Sequence, residues 1–153
     1  MSSLELKVPP LAQVGVFAGL MWLAARALPA PAFTFPGQLV AALLLVAAGA
    51  LVAGAGVVAF RRARTTVDPR DPGKSTELVA TGIYRASRNP MYLGFLLALA
   101  GWGIFLGNAL ALAALPVFVA AINRLQIAPE ERVLRARFGE SYTRYERSVR
   151  RWL

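Results

Sequence analysis

Two short stretches of this chain carry residues that can do chemistry. In the first, Arg85 and Arg88 stand just before Asn89-Pro90, a pair that opens a helix with Asn89 at the N-cap and Pro90 at the first helical position. Exposed amides, the positive end of the helix dipole and two guanidiniums together suit an anion. The plainer reading is that Asn89 only caps a helix and the arginines only hold membrane topology. On physical grounds alone it weighs more, because every membrane protein needs such features. In the second stretch, Pro129, Glu130 and Glu131 make an acidic first turn that a helix dipole favours. Close to a membrane end, a carboxylate that points inward needs a partner or a cationic ligand. The chain has no cysteine and no histidine. That excludes disulfides, thiol nucleophiles and the usual transition-metal sites, and it removes imidazole as a general base.

The elements that hold these stretches are membrane helices. Of 153 residues, 57% are hydrophobic and 16% charged, with mean hydropathy +0.52; a soluble domain carries about a quarter charged residues. No charge occurs between Arg26 and Arg61, or between Arg88 and Arg124. The composition therefore predicts an all-α integral membrane protein with about four transmembrane helices and a cytoplasmic C-terminal helical segment, a single domain over 1–153. The expected spans are 10–28, 37–60, 90–106 and 109–127, with a cytoplasmic loop 61–89 and tail 128–153. Asn89 to Asn123 as one helix would run to roughly 52 Å, too long for a hydrocarbon core of about 30 Å. Gly107-Asn108 supplies the turn that folds this run into a hairpin. Gly54 and Gly56 suit close packing of the second span. The first span lacks the basic start and cleavage site of a signal peptide.

Basic residues cluster in Arg61–Arg88, against Asp68, Asp71 and Glu77, and again from Arg124 onward. Both segments are expected to be cytoplasmic, and with four spans so is the N-terminus. This placement accounts for the net charge of +9 better than a nucleic-acid partner does. Pro69, Pro72 and Gly73 mark an irregular loop, Thr81-Gly82 a second turn, and Gly139 a helix stop. After Gly139, Tyr142, Tyr145, Val149 and Trp152 fall at helical spacing opposite Arg144, Arg147, Arg150 and Arg151. That pattern reads as a basic amphipathic helix lying on an anionic membrane surface.

The stretches LVATGIYRASRNPMYLG, Leu78 to Gly94, and PEERVLRARFGESYTRYERSVRRWL, Pro129 to Leu153, resemble the superfamily of isoprenylcysteine carboxyl methyltransferases and phospholipid (phosphatidylethanolamine) methyltransferases. These are integral membrane methyltransferases that use S-adenosylmethionine and release S-adenosylhomocysteine. The resemblance implies a cofactor pocket at the cytoplasmic face, between the hairpin and the C-terminal segment. Gly82 and Tyr84 would line it. Arg88, Asn89, Pro90 and Tyr92 match the Arg-His/Asn-Pro-x-Tyr signature, Glu130 and Glu131 the paired glutamates, and Phe138, Gly139, Tyr142 and Tyr145 a Phe-Gly-x-x-Tyr-x-x-Tyr stretch. Glu130, Glu131 and Asn89 are the implied catalytic candidates. Gly82, Tyr84, Arg88, Asn89, Pro90, Tyr92, Glu130, Glu131, Tyr142 and Tyr145 are the implied cofactor-binding residues, with no metal. Many relatives carry histidine where Asn89 stands, so no role needing a protonated imidazole transfers.

Under this resemblance the arginine-flanked helix start suits the cofactor's carboxylate, a glutamate its ammonium or ribose hydroxyls, and the tyrosines its adenine or sulfonium. The implied acceptor is hydrophobic or amphiphilic; a lipid headgroup, a carboxylate and a small apolar molecule all fit. The implied location is a bacterial inner (plasma) membrane with both termini cytoplasmic, and the partners are membrane lipid and that acceptor, with no nucleic acid. The rival from another class is a non-catalytic small membrane protein whose terminal helix binds anionic lipid or a partner subunit. A transporter ranks low, because no charge lies near a bilayer midplane.

Overall fold

The computed structural model describes residues 5–63 and 78–153. The loop marked by Pro69, Pro72 and Gly73, with Asp68, Asp71 and Glu77, lies outside the described residues. Helix α1 spans Pro10–Ala27 and α2 Gln38–Arg62. A 3-10 turn, Gly82–Arg85, leads into α3, Pro90–Leu106. After Gly107, α4 runs over Ala109–Ile122, a π-turn over Asn123–Ile127 and α5 over Ala128–Phe138. Helix α6, Glu140–Ser148, follows Gly139. The described residues contain no strand beyond an isolated bridge between Ala32 and Asn108. The protein is an all-α integral membrane protein. Helices α1, α2 and the continuous Ala109–Phe138 are long and apolar enough to cross a bilayer, and α3 is a shorter apolar helix of the same kind.

The outer faces carry large exposed apolar side chains, among them Leu11, Leu20 and Leu23 on α1 and Leu43, Leu44 and Leu51 on α2. In water such a surface would aggregate; in a bilayer it meets lipid tails. Lipid is as apolar as leucine, so helix association here depends on close van der Waals contact. Glycines supply it between α2 and α3. A Cβ on Gly49 would stand 2.5 Å from the Gly94 carbonyl oxygen, and one on Gly94 2.5 Å from the Gly49 oxygen. Of the two glycines expected to pack, Gly56 does, against Met91, whereas Gly54 faces open space. A run of small residues does not say which of them faces the neighbour.

The hairpin turn sits where the sequence puts it. Gly107 adopts φ 60°, and the Asn108 carboxamide accepts from the Leu110 and Ala111 amides at 2.9 and 3.2 Å, capping α4. Asn108 also donates to the Leu28 carbonyl at 2.9 Å, and Gln38 to that of Ile104 at 2.7 Å. The two interhelical connections are thereby tied together at one end of the bundle. Between the ends, Met21, Leu99, Ala111, Phe118 and Ile122 form the buried core. The Trp102 indole donates to the Ala18 carbonyl at 3.0 Å, joining α1 to α3.

Three local expectations are corrected. The hairpin's second helix does not stop at Ile127 but continues as one rod to Phe138. Pro129 has no N–H and so cannot bond the Leu125 carbonyl. The helix responds by widening rather than breaking: the Ala128 amide reaches the Asn123 carbonyl in a π-type bond, and the Leu6 amide fills the vacated Leu125 oxygen at 3.0 Å. Asn89 occupies the N-cap position of α3, but its side chain makes no cap bond; it donates to the Arg151 carbonyl at 2.9 Å instead. Helix α6 does not turn its tyrosines to the membrane. Tyr142 and Tyr145 are buried with Val79 and Tyr84 in a second core. The backbone is extended at Val149, so Trp152 leaves the helical stripe and donates to Asn123 Oδ1 at 3.3 Å.

Candidate functional site

The end of the bundle opposite the hairpin turn gathers both motif stretches. Tyr92, in the first turn of α3, is buried, and its hydroxyl donates to Glu130 Oε1 on α5. Glu130 is half-buried, whereas Glu131 is 3% exposed, and the two neighbours are used differently. Both Glu131 oxygens are held by Arg151, whose Nε donates to Oε1 at 3.0 Å and whose NH2 donates to Oε2 at 2.6 Å. Arg88 NH2 donates to the same Oε1 at 3.0 Å. Such bidentate, charge-assisted pairing offsets the cost of burying a carboxylate.

The network continues outward. Arg88 NH1 lies 2.8 Å from Glu146 Oε1, and Arg135 grips the Glu146 carboxylate with bonds of 2.8 and 2.7 Å. Hydrogen bonding by Arg135, reinforced by Arg88, holds the Glu146 carboxyl below the ordinary range. The bonds to Glu131 raise the Arg151 guanidinium above its ordinary value. Arg88 keeps one buried N–H, at Nε, that meets no partner among the described residues.

The chain's last residues close the site from one side. Arg88 donates its amide to the Arg150 carbonyl at 3.0 Å. Ser87 Oγ and Asn89 Nδ2 both reach the Arg151 carbonyl, at 3.5 and 2.9 Å. Tyr84 is buried, with its ring 5.4 Å from that of Phe60 in edge contact, and its carbonyl accepts from the Tyr145 hydroxyl at 2.7 Å. Burial, then the electrostatic influence of Tyr145 and Glu130, pushes the Tyr84 phenol up. Burial likewise raises Tyr142 and Tyr145, so all three are neutral hydroxyls near neutral pH.

Of the residues singled out by sequence, Arg88, Tyr92, Glu130 and Glu131 come together in one cluster, with Pro90 buried at the start of α3 and Tyr84 within electrostatic reach of Glu130. Tyr142 and Tyr145 share the second core with Tyr84 rather than lying beside Tyr92. Gly82 starts the 3-10 turn, exposed, at φ 61°. Sequence reasoning missed Arg151, Glu146 and Arg135. The spacing of Glu131 and Arg135, four apart on one helix, was a legible signal; nothing local marks Arg151. A groove of about 440 Å³ also opens between the 3-10 turn and α6, along Leu78, Arg85, Arg144 and Tyr145. Neither Tyr92 nor Glu130 lines it, so it is separate from the cluster.

Comparison with known proteins extends the observation. The phospholipid methyltransferase family matches residues 38–141, more than half of the chain. An uncharacterized protein of Haemophilus influenzae is 49% identical over 63 residues, 41% of this chain and 100% of that protein. Protein-S-isoprenylcysteine O-methyltransferase A of Arabidopsis thaliana is 30% identical over 107 residues, 70% of this chain and 54% of its own length. A probable protein-S-isoprenylcysteine O-methyltransferase of Oryza sativa subsp. indica is 31% identical over 107 residues, 70% of this chain and 56% of its own. The chain thus spans about half the length of the plant relatives it matches. No solved structure matches it.

Proposed function

The chain belongs to the phospholipid methyltransferase family, in the superfamily of the isoprenylcysteine methyltransferases, and from that premise we propose that it transfers a methyl group from S-adenosylmethionine to a hydrophobic or amphiphilic acceptor at the membrane. The observation that carries this reading is the bond from Tyr92 to Glu130 beside the Arg88–Glu131 pair. It unites two stretches of sequence whose shared chemistry suits a zwitterionic ligand.

The donor set fits that cofactor. Arg88 Nε is a buried donor with no partner among the described residues and suits a carboxylate. Glu130, oriented by Tyr92, suits an ammonium or a ribose hydroxyl. The α3 N-terminus, with no side-chain cap, adds a positive dipole end. When bound, S-adenosylmethionine supplies a methyl already activated on a sulfonium. The residues here contribute alignment and exclusion of water. Glu131 and Asn89 position the site: the first fixes Arg88 and Arg151, the second ties the C-terminal residues to the start of α3. If the acceptor is an amine, the Glu130 carboxylate takes its proton; a carboxylate acceptor needs no base.

The proposed setting is a bacterial inner membrane with the site at the cytoplasmic face, supported by Arg61, Arg62, Arg132 and Arg151 flanking the apolar helices at that end. The non-catalytic alternative loses support, because the tyrosines that would anchor α6 to lipid are buried within the protein. The test is incubation of the protein in lipid nanodiscs with methyl-labelled cofactor and a membrane extract. Label in the organic phase that disappears with Glu130→Gln supports the reading; no transfer above the variant's background overturns it.

A further inference from the structure

The segment Glu5–Val8, ahead of α1, lies across the π-turn that joins α4 to α5, where three contacts hold it and a fourth ties it to α1. The Leu6 amide donates to the Leu125 carbonyl at 3.0 Å. The Val8 carbonyl accepts from Gln126 Nε2 at 2.6 Å and from Gln13 Nε2 at 3.2 Å. Arg132, on α5, pairs with Glu5.

Each contact answers a specific deficiency. Pro129 leaves Leu125 without its helical donor, and Leu6 supplies one. A carbonyl oxygen has two lone pairs, and both of Val8's are taken by glutamine amides. Gln126 is 0% exposed and Gln13 6%. Both direct their NH2 groups to one oxygen although this leaves each Oε1 buried with no partner among the described residues, so the donation to Val8 orients them. Leu6 sits at φ 59°, a left-handed conformation that a non-glycine residue keeps only when its surroundings over-determine it.

Gln126 precedes Glu130 by four residues, about one turn of the widened helix. A π-turn beside a proline is a point where the two halves of a helix can change angle. The direction of α5 decides whether Glu130 meets Tyr92 and whether Glu131 meets Arg88 and Arg151. We propose that Glu5–Val8 is a strap that fixes the angle of α5 at this turn, and that Gln126 is a positioning residue acting through Glu130. The second clause rests on the cofactor site proposed above; the first does not.

The test has two arms on the full chain in nanodiscs. Amide hydrogen exchange is followed over Glu131–Leu134 in the wild type, in Gln126→Leu, which keeps an apolar volume in place, and in Leu6→Pro, which removes the donor outside the helices. Exchange at least tenfold faster in both variants is expected, and unchanged exchange in the folded variants overturns the strap. The second arm is a double-mutant cycle on S-adenosylhomocysteine affinity. Gln126→Leu should weaken binding at least fivefold alone and not at all on top of Glu130→Gln. Equal losses in both backgrounds mean that Gln126 does not act through Glu130, which overturns the positioning claim. If Glu130→Gln alone leaves affinity unchanged, the cofactor assignment falls, and the exchange result still judges the strap.

Discussion

Glu130 and Glu131 are adjacent and chemically identical, yet their surroundings give them different work. Glu131 is enclosed by guanidiniums, and removing its charge leaves Arg88 only its pair with Glu146 and takes this carboxylate from Arg151, whose side chain is 38% exposed. Breaking a fully buried pair costs on the order of 3 kcal/mol, and the retained Glu146 pair and the solvent at Arg151 reduce that figure here. Glu131→Gln should therefore lower the midpoint of unfolding in detergent, and an unchanged midpoint would show that the network adds nothing. Glu146 gives the site an acid limit. Its carboxyl is held low in the fold by Arg135 and Arg88, from an ordinary value of 4.5. The stability it contributes is present above that ordinary value and is lost as the pH falls through the lowered one. The melting temperature should drop as the solution is acidified below about pH 4, near the ordinary carboxylate range, and Glu146→Gln should flatten that part of the curve. The motif residues were legible because their types and order are distinctive. Arg151 was not, since its place depends on an extended turn at Val149 that nothing near it in sequence announces.

At the scale of elements, glycine and proline decide the geometry. The α2–α3 contact at Gly49 and Gly94 admits no Cβ, so Gly94→Ala must separate two helices that already touch through their backbones, at a cost of about 1–3 kcal/mol. Gly54→Ala meets open space and should be neutral or gain up to about 1 kcal/mol from helix propensity. Thermal melts of the two variants side by side check this, and equal effects would contradict the packing. Helix limits at Pro10, Pro90, Gly107 and Gly139 could be read directly, because each residue constrains the backbone where it stands. The outcome at Pro129 could not. Whether a proline ends a helix or widens it depends on a donor for the orphaned carbonyl, and that donor, Leu6, is far away in sequence.

For the whole molecule, long charge-free runs were enough to predict a bundle of membrane helices. The direction in which α6 turns its tyrosines was not predictable, because a stripe of Tyr142 and Tyr145 packs equally well on lipid or on Val79 and Tyr84. The proposed orientation is directly testable, as the chain has no cysteine. A single cysteine at Ser141, exposed on α6, should react with an impermeant maleimide only from the cytoplasmic side, and one at Leu110, exposed beside the hairpin turn, only from the other. The reverse pattern would invert the topology.

The central claim is that the end of the bundle holding Tyr92 and Glu130 is a cofactor site. Isothermal titration of the purified protein with S-adenosylhomocysteine tests it most directly. The account predicts one saturable site per chain with a Kd below about 1 mM, weakened at least tenfold, or about 1.4 kcal/mol, by Glu130→Gln in a variant that still folds. No binding to the folded wild type, or equal binding by the variant, would contradict it.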